Sequence, residues 1–136
     1  MTGLEAISQK LGTTAPWRES GGVYWLDPRT LGIRDIARAM NEAHARFVTI
    51  TAYQLPKDEG LRLEYHWDLD GKLLGVPFKL AGDSIESIYD LCEAVDWIER
   101  EIHEEYVVEF VGREHEPLLL REGDKPGVNL REEAAR

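Results

Sequence analysis

"LRLEYHWDLDGKLLGVPFKL", residues 61–80, decides the fold. Its first half alternates strictly: Leu61, Leu63, Tyr65, Trp67 and Leu69 point one way, and Arg62, Glu64, His66 and Asp68 the other. Period two over nine residues predicts a strand with one buried and one wet or partner-covered face. Asp70-Gly71 supplies the positive-φ residues of a tight type I′ turn. The return strand sets Leu74, Val76, Phe78 and Leu80 in register by twos. Pro77 cannot donate to a ladder, so this strand is expected at a sheet edge or irregular in its second half.

Upstream, "RFVTITAYQL" (46–55) adds a third strand, with Phe47, Thr49, Thr51 and Tyr53 expected on one face and Val48, Ile50 and Ala52 on the other. Leu4, Ile7 and Leu11 make a short amphipathic helix, "TTAPWRESGG" a loop, and "VYWL" (23–26) a brief strand. Thr30 is the expected cap of a helix whose apolar face is Ile33, Ile36, Ala37 and Met40. Downstream, Asp83-Ser84-Ile85-Glu86 resembles a capped helix start. Ile85, Ile88, Cys92, Val95, Ile98, Ile102 and Tyr106 then step by threes and fours, which predicts a helix of about twenty residues lying across the strands. The fold class expected is α+β, a mainly antiparallel β-meander with helices packed on one face. Residues 1–111 form a single domain and 112–136 an extended C-terminal tail, charged and broken by glycine and proline.

The formal charge is −10, from 26 acids against 16 bases. That argues against nucleic acid, which needs a clustered positive footprint, and against a polybasic membrane patch. Cys92 is the single cysteine, so an intramolecular disulfide and a Cys-rich metal site are excluded. "MTGLEAISQKLG" lacks the basic and apolar regions of a secretion signal, and no run approaches the roughly 18 apolar residues of a membrane span. A cytoplasmic domain without direct membrane insertion is expected.

"DWIEREIHEEYVVEF" (96–110) concentrates the chemistry. Glu99 and His103 are four apart and share a helix face, so a small metal-dependent enzyme built on that pair is one reading. Two ligands are not a site, however. The position four after His103 is Val107 and the position three before it Arg100, which fit neither a zincin nor a di-iron bundle. His44, His66 and His115 lack ligand spacing. Ser8, Ser20, Ser84 and Ser87 lack the nucleophile-elbow context, Gly21-Gly22 precede a strand, and Cys92 falls on the apolar stripe. Asp96 and Arg100 pair at i,i+4, but Glu101 faces Glu105, and the last turn carries acids where the helix dipole prefers bases. Either the face is simply solvated or an Arg-rich partner surface compensates it.

"WIEREIHEEYVVEFVGREHEPLLLREGD" resembles the signature of the NADH dehydrogenase family that supplies respiratory complex I with its small hydrophilic C-type subunit. That family has relatives in membrane-bound, energy-converting NiFe hydrogenases. Glu99-Arg100-Glu101, the acid Glu104, the aromatic Tyr106, Phe110, Gly112 and the step Leu118-Leu119-Leu120 with Glu122 and Asp124 carry the likeness. Glu105 and Val107 stand where the pattern has an apolar residue and glycine, the Gly-His-Pro turn is scrambled over residues 112–117, and the later tryptophan-containing extension is missing. These departures point to a hydrogenase-type or reduced relative. The resemblance implies a subunit with no cofactor, no metal and no catalytic residue of its own. It would pack beside a large quinone-site or NiFe subunit and a neighbouring iron–sulfur subunit, peripheral on the cytoplasmic face of the membrane. The expected interface, or its support, is Glu99, Arg100, Glu101, Glu104, Glu105, Phe110, Gly112 and His115.

Overall fold

The computed structural model of the chain describes residues 2–80, 82–114, 118 and 127. Its elements in order are α1 (Gly3–Leu11), β1 (Arg18–Ser20), β2 (Val23–Trp25), α2 (Ile33–Glu42), β3 (Arg46–Gln54), β4 (Leu61–Leu69), β5 (Lys72–Leu80), β6 (Ser84–Glu86), α3 (Asp96–Tyr106) and β7 (Glu109–Val111). Strands β1 to β5 form one sheet in the order β1-β2-β5-β4-β3, antiparallel except where β2 runs parallel to β5. The class is the expected α+β.

The 61–80 hairpin forms as its alternation demands. Leu61, Leu63, Tyr65, Trp67 and Leu69 are all buried. Asp70 and Gly71 take φ of 51° and 87°, and the Asp68 carboxylate accepts the Gly71 N–H at 3.0 Å. β2 pairs with β5 only at Leu73–Gly75, so Pro77 sits where β5 has β4 alone as neighbour among the described residues. The buried side of the sheet is aromatic: Tyr65 stacks on Trp67 at 6.1 Å, and Phe47 meets Trp67 edge-on at 5.9 Å. α1 closes this core with Leu4 and Ile7, and α2 with Ile33, Ile36, Ala37 and Met40. Burying one such aliphatic or aromatic side chain contributes about 1.5–3 kcal/mol, so this layer dominates the fold's stability.

Four details differ from expectation. Phe47 does not share a face with Thr49, Thr51 and Tyr53. The β3–β4 register slips between Phe47 and Thr49, so Phe47 opposes Trp67 while Ile50 opposes Tyr65 and Ala52 opposes Leu63. Phe47 is odd-numbered and Ile50 and Ala52 even, and one inserted residue, Val48, lets all three face the core. The helix from Ile33 is preceded by Gly32 rather than capped by Thr30, with no side-chain cap bond. "RES" (18–20) is strand β1, turned onto β2 by Gly21 and Gly22 at φ 60° and 81°.

The fourth difference is the largest. No helix of twenty residues starts at Asp83. Ser84–Glu86 is β6, paired in parallel with β7 through Ile85 opposite Phe110, and α3 begins only at Asp96. The cause is tertiary. In a helix the Ser87 and Leu91 carbonyls would accept from their own chain four residues on, but α2 takes both. Arg34 Nη1 donates to Ser87 O at 2.8 Å, and Asn41 Nδ2 to Leu91 O at 2.9 Å. Arg34 also grips Asp90 through two bonds of 2.7 and 2.8 Å. Ile88 and Val95 are buried all the same. The three-and-four spacing is met by a turned path, and periodicity alone cannot tell the two apart.

α3 ends on Val107 in the left-handed conformation, φ 58° and ψ 38°, donating its N–H to His103 O at 2.9 Å. A β-branched residue there is strained, and glycine is the ordinary occupant. Relief of about 1–2 kcal/mol outweighs the added chain freedom of glycine, about 0.5–1 kcal/mol. Val107→Gly is therefore expected to raise the thermal midpoint by a few degrees; a lower midpoint in a melting curve would contradict this.

Candidate functional site

Glu99, in the first turn of α3, has a fully buried side chain. Its Oε1 accepts from Ser87 Oγ at 2.6 Å, and its Oε2 from the Ile88 N–H at 3.0 Å. Arg113, just past β7, donates to the same Oε1 at 3.2 Å and to Asp96 Oδ1 at 2.5 Å. One carboxylate thus joins the turn after β6, the helix α3 and the exit of β7. Burial pushes the Glu99 carboxyl above its ordinary value, against the opposing pull of Ser87, the Ile88 N–H and Arg113. Tyr65, buried in the sheet core, is held well above the usual phenol value by burial first and by the Glu99 charge second. Arg113 bonding holds Asp96 below the ordinary carboxylate range.

From this anchor a chain of contacts reaches the surface. Arg113 lies over the Tyr89 ring at 4.7 Å, Arg100 bonds Asp96 at 3.4 Å, and Arg100 lies over Trp97 at 5.7 Å. The i,i+4 pairing of Asp96 with Arg100 is as expected. Trp97 is 67% exposed, Val111 49% and Tyr89 40%. Trp97 and Tyr89, each lying against the guanidinium of a partly buried ion pair, suit protein contact, where tryptophan, tyrosine and arginine dominate the energy.

The expected interface residues separate into two groups. Glu99, Glu104 and Phe110 face inward: Phe110 is core, and Glu104 Oε2 accepts the Leu118 N–H at 2.7 Å. Arg100, Glu101 and Glu105 are half-buried and Gly112 is exposed, at φ 99°. His115, like most of the expected tail, lies outside the described residues. Three described points of that tail, Arg113, Leu118 and Gly127, contact α3, Gly127 through its N–H on Glu104 O at 2.6 Å.

Tyr89, Trp97, Val111 and Arg113 were not expected. Trp97 could have been found, because it lies off the apolar stripe of Val95, Ile98, Ile102 and Tyr106. Arg113 could not, because its partners depend on the β6–β7 pairing.

The Glu99–His103 metal reading loses its first ligand, since a guanidinium occupies the carboxylate. His103 Nδ1 lies 2.9 Å from Val108 O, an acceptor only, so that nitrogen carries the ring proton. Among the described residues no group of three or more His, Cys, Asp or Glu is placed to hold a metal ion.

Residues 28–135 match the family of the 30 kDa subunit of respiratory-chain NADH dehydrogenase. The chain belongs to that family. Solved structures share the fold of this 30 kDa-type chain. The trypsin-resistant fragment (1-134) of Nqo5 aligns with TM-score 0.63 at 19% identity, over 86% of this chain and 100% of that one. A chain of the membrane-bound sulfane sulfur reductase, an archaeal respiratory membrane complex, aligns with TM-score 0.69 at 23% identity, over 87% of this chain and 74% of that one. No curated protein sequence matches significantly. No helix among the described residues of this 30 kDa-type chain is long and apolar enough to cross a membrane.

Proposed function

We propose that the chain is a non-catalytic hydrophilic subunit that docks on the large subunit of a membrane-bound oxidoreductase, complex I-like or of the energy-converting NiFe hydrogenase type. It supports electron transfer coupled to ion translocation without holding a cofactor itself. Its partners are the large quinone-site or NiFe subunit and a neighbouring iron–sulfur subunit, and it sits peripherally on the cytoplasmic face of the membrane. Family membership supports the class of complex. The observation that carries the docking role is Trp97, 67% exposed and backed by the Arg100–Asp96–Arg113–Glu99 ladder. Trp97, Glu101 and Glu105 recur at i,i+4 along α3, so the exposed tryptophan and two acids share one stripe. That stripe suits a partner groove with an apolar pocket and arginine at its rim.

Charge reversal tests the acidic part. Glu101→Lys with Glu105→Lys is expected to abolish retention of the large subunit by the tagged chain at low salt and to leave the fold intact. Wild-type retention should weaken as salt rises. Normal retention by the double variant would sink the acidic stripe as a docking element.

A further inference from the structure

The sheet face away from the helices carries a feature of opposite charge. In a chain of net charge −10, three arginines, Arg18, Arg29 and Arg62, meet at a cavity of about 250 Å³ with Trp25, Pro77 and a single acid, Asp27. Strand pairing brings them together. Arg18 opposes Trp25 across β1–β2, Trp25 opposes Gly75 across β2–β5, and Glu64, the neighbour of Arg62 by two, opposes Pro77 across β5–β4. Gly75 lets the Trp25 ring lie across the sheet: a Cβ there would stand 2.7 Å from Trp25 Cε3 and Cζ3. His66 meets the ring edge-on at 5.4 Å and fixes its tilt.

The charges are left available. Asp27 Oδ1 is committed to the Arg29 N–H at 3.0 Å, a turn that holds Arg29 at φ 55°. Arg62 spends its Nε on Glu64 at 2.9 Å, which leaves its terminal nitrogens. Arg18 and Arg29 make no ion pair among the described residues, where the eight ion pairs present involve other bases. A guanidinium fork matches a carboxylate in shape, and a wall of tryptophan and proline excludes water and suits a methylene stem. Sites for free phosphate draw on backbone N–H groups at a helix start or nest, and no helix begins at this cavity.

We propose that this cavity receives a glutamate or aspartate side chain from an acidic segment of a partner subunit. Arg18 and Arg29 grip the carboxylate, Arg62 adds a third positive charge, and the stem lies against Trp25 and Pro77. The identity of the partner rests on the subunit role proposed above; the carboxylate chemistry does not.

The test is titration of the full, ¹⁵N-labelled chain with an acetylated, amidated hexaglutamate peptide. Saturable shifts are expected at the Trp25 indole and the Arg18 and Arg29 signals, weakening with salt. Arg18→Ala with Arg29→Ala should weaken binding about tenfold or more, and Lys10→Ala, on α1, should leave it unchanged. Unmoved Trp25 signals, equal loss in Lys10→Ala, or the same shifts from inorganic phosphate at the same concentration would overturn the proposal. Peptide binding with no retained large subunit would count against the assembly role, and retained large subunit without peptide binding against the cavity.

Discussion

Replacing Glu99 by alanine is expected to lower unfolding stability by about 3–5 kcal/mol, the usual consequence of removing one partner of a buried ion pair. Its carboxylate satisfies the Ser87 hydroxyl, the Ile88 N–H and Arg113, whose side chain is itself only 8% exposed. Alanine leaves all three without that partner in a dry place, and each buried unsatisfied group costs about 1–3 kcal/mol. Glutamine, of the same shape and neutral, should be far milder. The pH dependence separates the two carboxylates of the network. Glu99 is raised by burial, so the folded chain holds its proton more tightly than the unfolded chain. Its contribution therefore falls as pH rises from the ordinary carboxyl value through the folded one. Asp96 is lowered by Arg113, so its contribution is present above the ordinary value and is lost as pH falls through the folded one. Glu99→Gln removes only the first effect. Wild type should lose ground to the glutamine variant as pH rises from about 4 to 7. Denaturant unfolding of the three proteins across that range checks both statements. An alanine variant within about 1 kcal/mol of wild type would mean that the network does not tie α3 to its neighbours.

The second large effect is on assembly, not folding. Trp97→Ala should change stability by no more than about 0.5 kcal/mol, as expected of an exposed position. Its affinity for the large subunit should fall by about 2–4 kcal/mol, or about 30- to 1,000-fold, as for a central interface tryptophan. Melting curves and immobilised-subunit binding measure the two quantities on one preparation. Equal loss in both, or in neither, would show that the tryptophan serves the fold or nothing, and not a partner.

Local sequence pattern revealed the parts of the fold that local pattern controls. The β4–β5 hairpin was legible because alternation and Asp70-Gly71 agree with each other and with the core. β3 was half legible: its strand propensity was plain, but the bulge at Val48 depends on matching Phe47 to Trp67 on another strand. The segment 83–95 is not legible as a turned path, because its apolar spacing suits a helix equally well. Arg34 and Asn41, 53 and 50 residues upstream of their partners, decide between them by taking the Ser87 and Leu91 carbonyls. The same dependence explains the site. "EREIHEE" looks like a charged surface helix, yet Glu99 and Glu104 point inward; Glu99 has no signature until its partner, Arg113, is placed by the β6–β7 pairing, and Glu104 meets the Leu118 N–H from the tail. Trp97, read beside the stripe it departs from, was the one surface anchor within reach of sequence alone.

In the proposed docking role, both the acidic stripe and the Trp97 ladder meet a partner. Purification of the affinity-tagged chain from its native membranes, with identification and stoichiometry of what accompanies it, tests this most directly. A large subunit of the quinone-site or NiFe type, with an iron–sulfur subunit, should be retained one-to-one by wild type and lost from Trp97→Ala. Recovery of the wild-type chain alone, or only with copies of itself, would contradict the docking role.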